Sequence, residues 1–202
     1  MELLTRPDWN AAEPTRETRM ADYRQDVFVH WLGVAYEHQL TDEEILQRVQ
    51  NYHQGVKGWF DIGYSWAIGR SARAFECRGF DVAGSHTVGR NQDSYGVVFL
   101  IGEGEEPTED MWQTFTELLE HIRTEDPLMQ GTLDGRVKGH RHSDMANTIC
   151  PGDKLANLAW GYRHSRDFAP AEPDKTAGIV EALRKISRSL LDIAKEIEDL
   201  KV

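Results

Sequence analysis

The sequence predicts an α/β fold, a sheet with helices packed on it, followed by one separate helix. Three observations predict it. Apolar runs of strand length recur between residues 27 and 101. Two stretches with helix-start signals and apolar residues at helical spacing accompany them. Beyond a Pro-rich break, residues 175–202 carry an unbroken heptad pattern.

In chain order, Val27-Phe28-Val29-His30 reads as a buried strand ending in an imidazole. Thr41-Asp42-Glu43-Glu44 is a capping box, in which Thr and a Glu three residues on satisfy free N–H groups at a helix start. Behind it Ile45, Val49 and Tyr52 fall at helical spacing. Tyr64 to Ile68, Ala72 to Cys77 and Tyr95 to Ile101 read as strands, the first two joined by a hairpin turn at Gly69-Arg70-Ser71. Gly102 to Pro107 is an acidic loop, read as a solvated connection. Thr108 caps a second helix with Trp112, Phe115, Leu119 and Ile122 on one face. Arg136 to His140 is a short strand, and there is no internal repeat.

Ala169-Pro170-Ala171-Glu172-Pro173-Asp174 suits a linker, placed at 166–174. After it Ile179, Leu183, Ile186, Leu190, Ile193, Ile197 and Leu200 form a heptad seam in the helix 175–202. Leucine dominates position a and isoleucine position d, which shifts parallel coiled coils from dimers toward larger bundles. Small residues flank the seam at Ala182, Ser187, Ser189 and Ala194. The expectation is a homo-oligomer, tetramer favoured, through residues 179–200; the alternative is a helix packed on its own domain.

Composition narrows the function. The 202 residues suit one core with an appendage. A net charge of −11 argues against nucleic acid as a partner, since phosphate binding needs clustered Lys and Arg. No apolar run approaches the roughly 20 residues of a membrane-spanning helix. Met1 to Arg6 shows no basic head followed by an apolar stretch, which argues against a signal peptide. Two cysteines make no disulfide framework, so synthesis in a reducing cytoplasm is expected.

His30, His142 and Cys150 offer two imidazoles and a thiol. Three protein ligands with a fourth position left for water is the catalytic zinc pattern. His142 and Cys150 lie eight positions apart in a loop with few apolar residues, and Cys77 sits in an unrelated strand-like stretch. The alternative is that a chain with eight histidines holds this spacing by chance.

Longer motifs surround these residues. They are Arg6-Pro7-Asp8-Trp9-Asn10-Ala11-Ala12, Phe28-Val29-His30, and Gly58-Trp59-Phe60-Asp61-Ile62-Gly63-Tyr64. Arg78-Gly79-Phe80-Asp81-Val82-Ala83-Gly84-Ser85-His86-Thr87 follows, with Asn91, Ser94, Gly96 and Val97 in register. His142-x-Asp144 and Thr148-x-Cys150-Pro151-Gly152-Asp153 close the series. In this order the chain resembles the zinc amidases of phage lysins and the peptidoglycan recognition proteins, across most of residues 1–160.

The resemblance implies a mixed central β-sheet flanked by helices in a catalytic domain over 1–165. It implies bacterial peptidoglycan as partner, and hydrolysis of the amide between N-acetylmuramic acid and the L-alanine of the stem peptide. Zn2+ would be held by His30, His142 and Cys150, with Asp144 a candidate partner for a ligand ring. Tyr64 matches a residue that orients the attacking water or supports the oxyanion; the alternative is a core aromatic. His86 matches an active-site histidine able to hydrogen-bond the developing charge; taken alone, it would be an exposed loop residue. Arg78 and Asn91 match groove positions that touch muramic acid or the stem, with a structural role as the alternative. Thr148 stands where several phage amidases carry a lysine, and its hydroxyl could still donate to the oxyanion. Gly139-His140-Arg141 also resembles the family's Gly-His-Arg, but the ungapped alignment favours His142. Cys77 stands where the family has glycine and reads as an inert buried thiol. The expected setting is a phage endolysin, made in the host cytoplasm and reaching the wall after release. A non-catalytic recognition module is the alternative, against which Cys150 speaks, because non-catalytic relatives usually lose that ligand.

Overall fold

The structure, a computed structural model, describes residues 1–162 apart from 22–23, 127–128 and 130–132. The linker 166–174 and the heptad helix 175–202, with its seam 179–200, lie outside the described residues.

One sheet carries six strands: β1 (Leu3–Leu4), β2 (Asp26–Trp31), β3 (Trp66–Ile68), β4 (Ala74–Glu76), β5 (Ser94–Phe99) and β6 (Val137–Gly139). Their spatial order is β1-β4-β3-β5-β2-β6. The sheet is mixed: β3 and β4 are antiparallel, while β3, β5, β2 and β6 run parallel. Strands β2 and β5 are covered on both faces, which is why Val27-Phe28-Val29 and the run from Tyr95 read as continuous apolar sequence rather than alternation.

Helix α1 (Asp42–Gly55) covers one face and α2 (Glu109–Glu125) the other, with α3 (Asp153–Gly161) beside α2. Val27, Val29, Val97 and Phe99 pack with Phe115, Leu118, Leu119 and Ile122 of α2 and with Leu155 and Ala159 of α3. Ala67, Phe75 and Val98 pack with Ile45, Leu46 and Val49 of α1 and with Trp9. Period-two alternation therefore turns Phe28 and His30 away from α2.

Both capping readings hold. Thr41 and Glu44 form the reciprocal box, and the Thr108 hydroxyl accepts from the Met111 N–H. The face of α1 differs from expectation. Tyr52 is 47% exposed, and the buried stripe runs through Ile45, Leu46, Val49, Gln50 and His53. The hairpin strands are shorter than expected because Tyr64 and Ser65 leave the regular ladder. Their carbonyls instead accept from Arg78 N–H and Cys77 N–H. The opening motif is a brace: Arg6 pairs with Asp61 at 2.9 Å and Trp9 Nε1 donates to the Glu76 carbonyl.

Candidate metal centre

His30 stands one residue from the end of β2, and His140 follows β6 directly, opening a 3-10 turn, His140–His142. The sheet thus delivers both rings to the C-terminal ends of adjacent parallel strands, where open α/β sheets gather their ligands. Cys150 arrives from the loop before α3, tied by its carbonyl to the Arg141 N–H and by its own N–H to Thr148 Oγ1. His30 Nδ1 lies 3.7 Å from Cys150 Sγ, and the His30 and His140 rings are 4.6 Å apart between centres. One ligand atom from each of the three residues falls within 4.8 Å of the other two.

This corrects the choice of His142. A 3-10 helix turns about 120° per residue, so positions two apart face different ways. His140 faces His30, whereas His142 packs its ring against Trp160, 4.9 Å between centres. Asp144 is exposed and forms no hydrogen bond to a histidine among the described residues.

The donor set fits zinc. With Zn–N and Zn–S bonds of about 2.0 and 2.3 Å, tetrahedral geometry separates N from S by about 3.5 Å, close to the distance found. Burial, reinforced by His86 and His140, holds the His30 pKa well below the usual imidazole value. Burial also lowers that of His140. Both rings are therefore neutral and have lone pairs to give. Burial pushes the Cys150 thiol up to about 11, opposed by the Trp31 N–H that donates to Sγ at 3.5 Å and by Arg141. A cation must then displace the thiol proton on binding.

Tyr64 closes the α1 side, its ring 5.3 Å from that of His30. Burial raises its phenol pKa, so it stays protonated and can donate. His53 stands behind it. Its Nδ1 accepts the Gly63 N–H, and its ring lies 4.6 Å from Trp59 and 5.8 Å from Tyr64. Sequence reasoning missed His53, although Ile45, Val49 and His53 share the four-residue step of the buried stripe.

The structure places three other expected residues behind the site. Arg78 is buried: Nε donates to the Ile62 carbonyl and its other nitrogens to those of Ala83 and Asp61, over the Phe60 ring at 3.9 Å. Three of its five N–H donors are thus committed to backbone, and the side chain is buried. Asn91 is likewise occupied, its Oδ1 accepting from the N–H groups of His86 and Thr87. His86 is buried behind His30, with Nδ1 3.2 Å from His30 Nε2, on the opposite side of that ring from Cys150. Thr148 is exposed and its hydroxyl ties the Cys150 loop. Cys77 is the inert buried thiol expected, its pKa raised by burial.

No family model matches the chain. Among curated proteins it is 31% identical to peptidoglycan-recognition protein LB of Drosophila melanogaster over 157 residues, 76% of this chain and 65% of that protein. It is 34% identical to human N-acetylmuramoyl-L-alanine amidase over 121 residues, 59% of this chain but only 20% of that protein. Against peptidoglycan-recognition protein SC1a of the same fly, identity is 27% over 80% of this chain and 86% of the relative. Among solved structures, Drosophila PGRP-LB superposes with a TM-score of 0.67 at 29% identity, covering 79% of this chain and 94% of that one. PGRP-LE, solved in complex with tracheal cytotoxin, a monomeric diaminopimelic acid-type peptidoglycan, gives 0.67 at 26% identity, covering 83% and 98%. The homologues are thus peptidoglycan recognition proteins and amidases, and the mixed α/β fold is theirs.

Proposed function

We propose that this chain is a zinc-dependent N-acetylmuramoyl-L-alanine amidase that cleaves the bond between muramic acid and the stem peptide of bacterial peptidoglycan. The observation that carries the reading is the convergence of His30, His140 and Cys150. Those three residues would hold the ion. When bound, zinc supplies an activated water and polarises the scissile carbonyl. The protein's own contributions follow from its geometry. Neutral His30 and His140 keep their lone pairs for the site, and Trp31 N–H steadies the sulfur. Tyr64, kept protonated by burial, donates to the oxygen on which negative charge develops. His53 and Trp59 hold the Tyr64 segment in place.

The alternative, a recognition module without turnover, is favoured by the recognition proteins among the relatives. Digestion of purified peptidoglycan with mass spectrometry of the fragments decides between them. Release of stem peptides with a free L-alanine amine, in step with stoichiometric zinc, is the expected result. Intact glycan-linked stems from zinc-loaded protein would leave only binding. The phage-lysin setting rests on the sequence motifs alone, since the relatives named above are animal proteins.

The heptad seam 179–200 adds a further expectation, association through a helical bundle that multiplies weak wall contacts by effective concentration. Light scattering should give a mass several times the chain's 23.1 kDa. Deletion after Pro173 should leave a monomer. A monomeric full-length protein at micromolar concentration would remove the bundle.

A further inference from the structure

Position 96 lies inside a fully buried strand and is glycine. A Cβ there would run into the His86 ring, and so would one at Gly84. Two absent side chains thus cut a slot for one imidazole. Asn91 fixes how the ring enters it, by holding the backbone N–H groups of His86 and Thr87. So much positioning of a ring with little exposure asks for a purpose beyond filling space.

The purpose lies in the proton count of His30. A neutral imidazole carries one N–H and one lone pair. Its Nδ1 faces Cys150 Sγ, so a lone pair there requires the proton on Nε2. That N–H is buried and needs an acceptor. Two are within reach: His86 Nδ1 at 3.2 Å and Thr87 Oγ1 at 3.4 Å. We propose that His86 is the positioning residue for metal capture, its Nδ1 accepting the His30 Nε2–H and thereby holding His30 in the tautomer that bares Nδ1 toward His140 and Cys150. Thr87 Oγ1, 2.9 Å from the same His86 nitrogen, is the second acceptor. The inference rests on the zinc reading of the site and extends it to the shell behind. Its chemistry differs from the carboxylate or carbonyl that commonly backs a ligating histidine. A neutral ring would add no negative charge behind a site in which Cys150 becomes a thiolate on metal binding, and would leave the bound ion more able to polarise a carbonyl.

The test uses the full chain and two readouts. In zinc-free protein, long-range proton–nitrogen NMR of the imidazoles should show His30 protonated on Nε2. Zinc affinity by chelator competition should fall about 10–100-fold in His86→Ala, the usual loss for an outer partner. His86→Asn places an oxygen where Nδ1 stood and should restore affinity, whereas the larger His86→Gln, which reaches the Nε2 position, should not. Circular dichroism confirms folding of each variant. A His30 proton on Nδ1, or equal rescue by Gln and Asn, overturns the proposal. If the wild-type chain binds no zinc, the amidase reading fails on that result, while the tautomer measurement still decides the role of His86.

Discussion

On one side of the site, β2, the turn after β6 and the Cys150 loop bring three donor atoms toward a single point. On the other, two motif residues of the segment from Gly58 to Asn91 turn their polar atoms into its own backbone: Arg78 into three carbonyls, Asn91 into two N–H groups. Both sides carry motif residues of equal prominence in the sequence. The difference teaches that a motif marks where constraint lies without saying whether it serves the reacting atoms or the scaffold. Tyr64 and His86 are the exceptions on the second side, each with its ring against His30.

The comparison breaks most sharply at the two neighbouring histidines. His140→Ala should lose zinc and turnover together, while His142→Ala, which removes a ring packed on Trp160 among the described residues, should keep both. Metal analysis alongside the digestion assay reads this directly, and the reverse pattern would return the site to His142. Tyr64→Phe tests the first exception. Its kcat should fall about 10²–10³-fold, as when one oxyanion donor is lost, with zinc content unchanged. Unchanged kcat would place Tyr64 with the scaffold.

Arg78→Leu tests the scaffold itself. Removing the charged partner of three carbonyls and the cation over Phe60 should cost about 3 kcal/mol in urea unfolding. The folded fraction should keep its KM, whereas a raised KM at full stability would restore Arg78 to the substrate groove. The smallest effect concerns His53. Burial, helped by Arg78 and Lys57, lowers its pKa from 6.5 to about 4. The unfolded chain then binds the proton more readily, so stability falls as pH drops below 6.5 and continues to fall toward about 4. Between pH 6.5 and 5 the contribution is up to about 2 kcal/mol. His53→Phe should flatten that slope in unfolding titrations, and an unaltered slope would assign the acid sensitivity elsewhere.

Much of the fold was legible because its signals are local. The capping box at Thr41 and the cap at Thr108 need only the residues beside them. The double burial of β2 shows directly as an apolar run. The orientation of side chains in irregular backbone was not legible. Choosing between His140 and His142 required knowing that a 3-10 turn begins at residue 140, whereas an ungapped alignment favoured the ring that the structure turns toward Trp160. The sequence left Arg78 and Asn91 between substrate contact and a structural role for a related reason. A guanidinium or amide looks free in sequence, and only the carbonyls of Ile62 and Ala83 or the N–H of His86 reveal that it is engaged. His53 was missed because its helix was read through Tyr52, one step off the stripe.

The slot in which His86 sits has an evolutionary consequence. Gly96 and the ring occupy one volume between them, so neither position is free to drift alone. An alanine at 96 is barred while the histidine remains, and a smaller residue at 86 leaves a void that the strand glycine cannot fill. Opening position 96 to a larger residue therefore requires a smaller one at 86 first, because a Cβ on the strand meets the ring directly. The order of change is thus one-way: the histidine must yield before the glycine can.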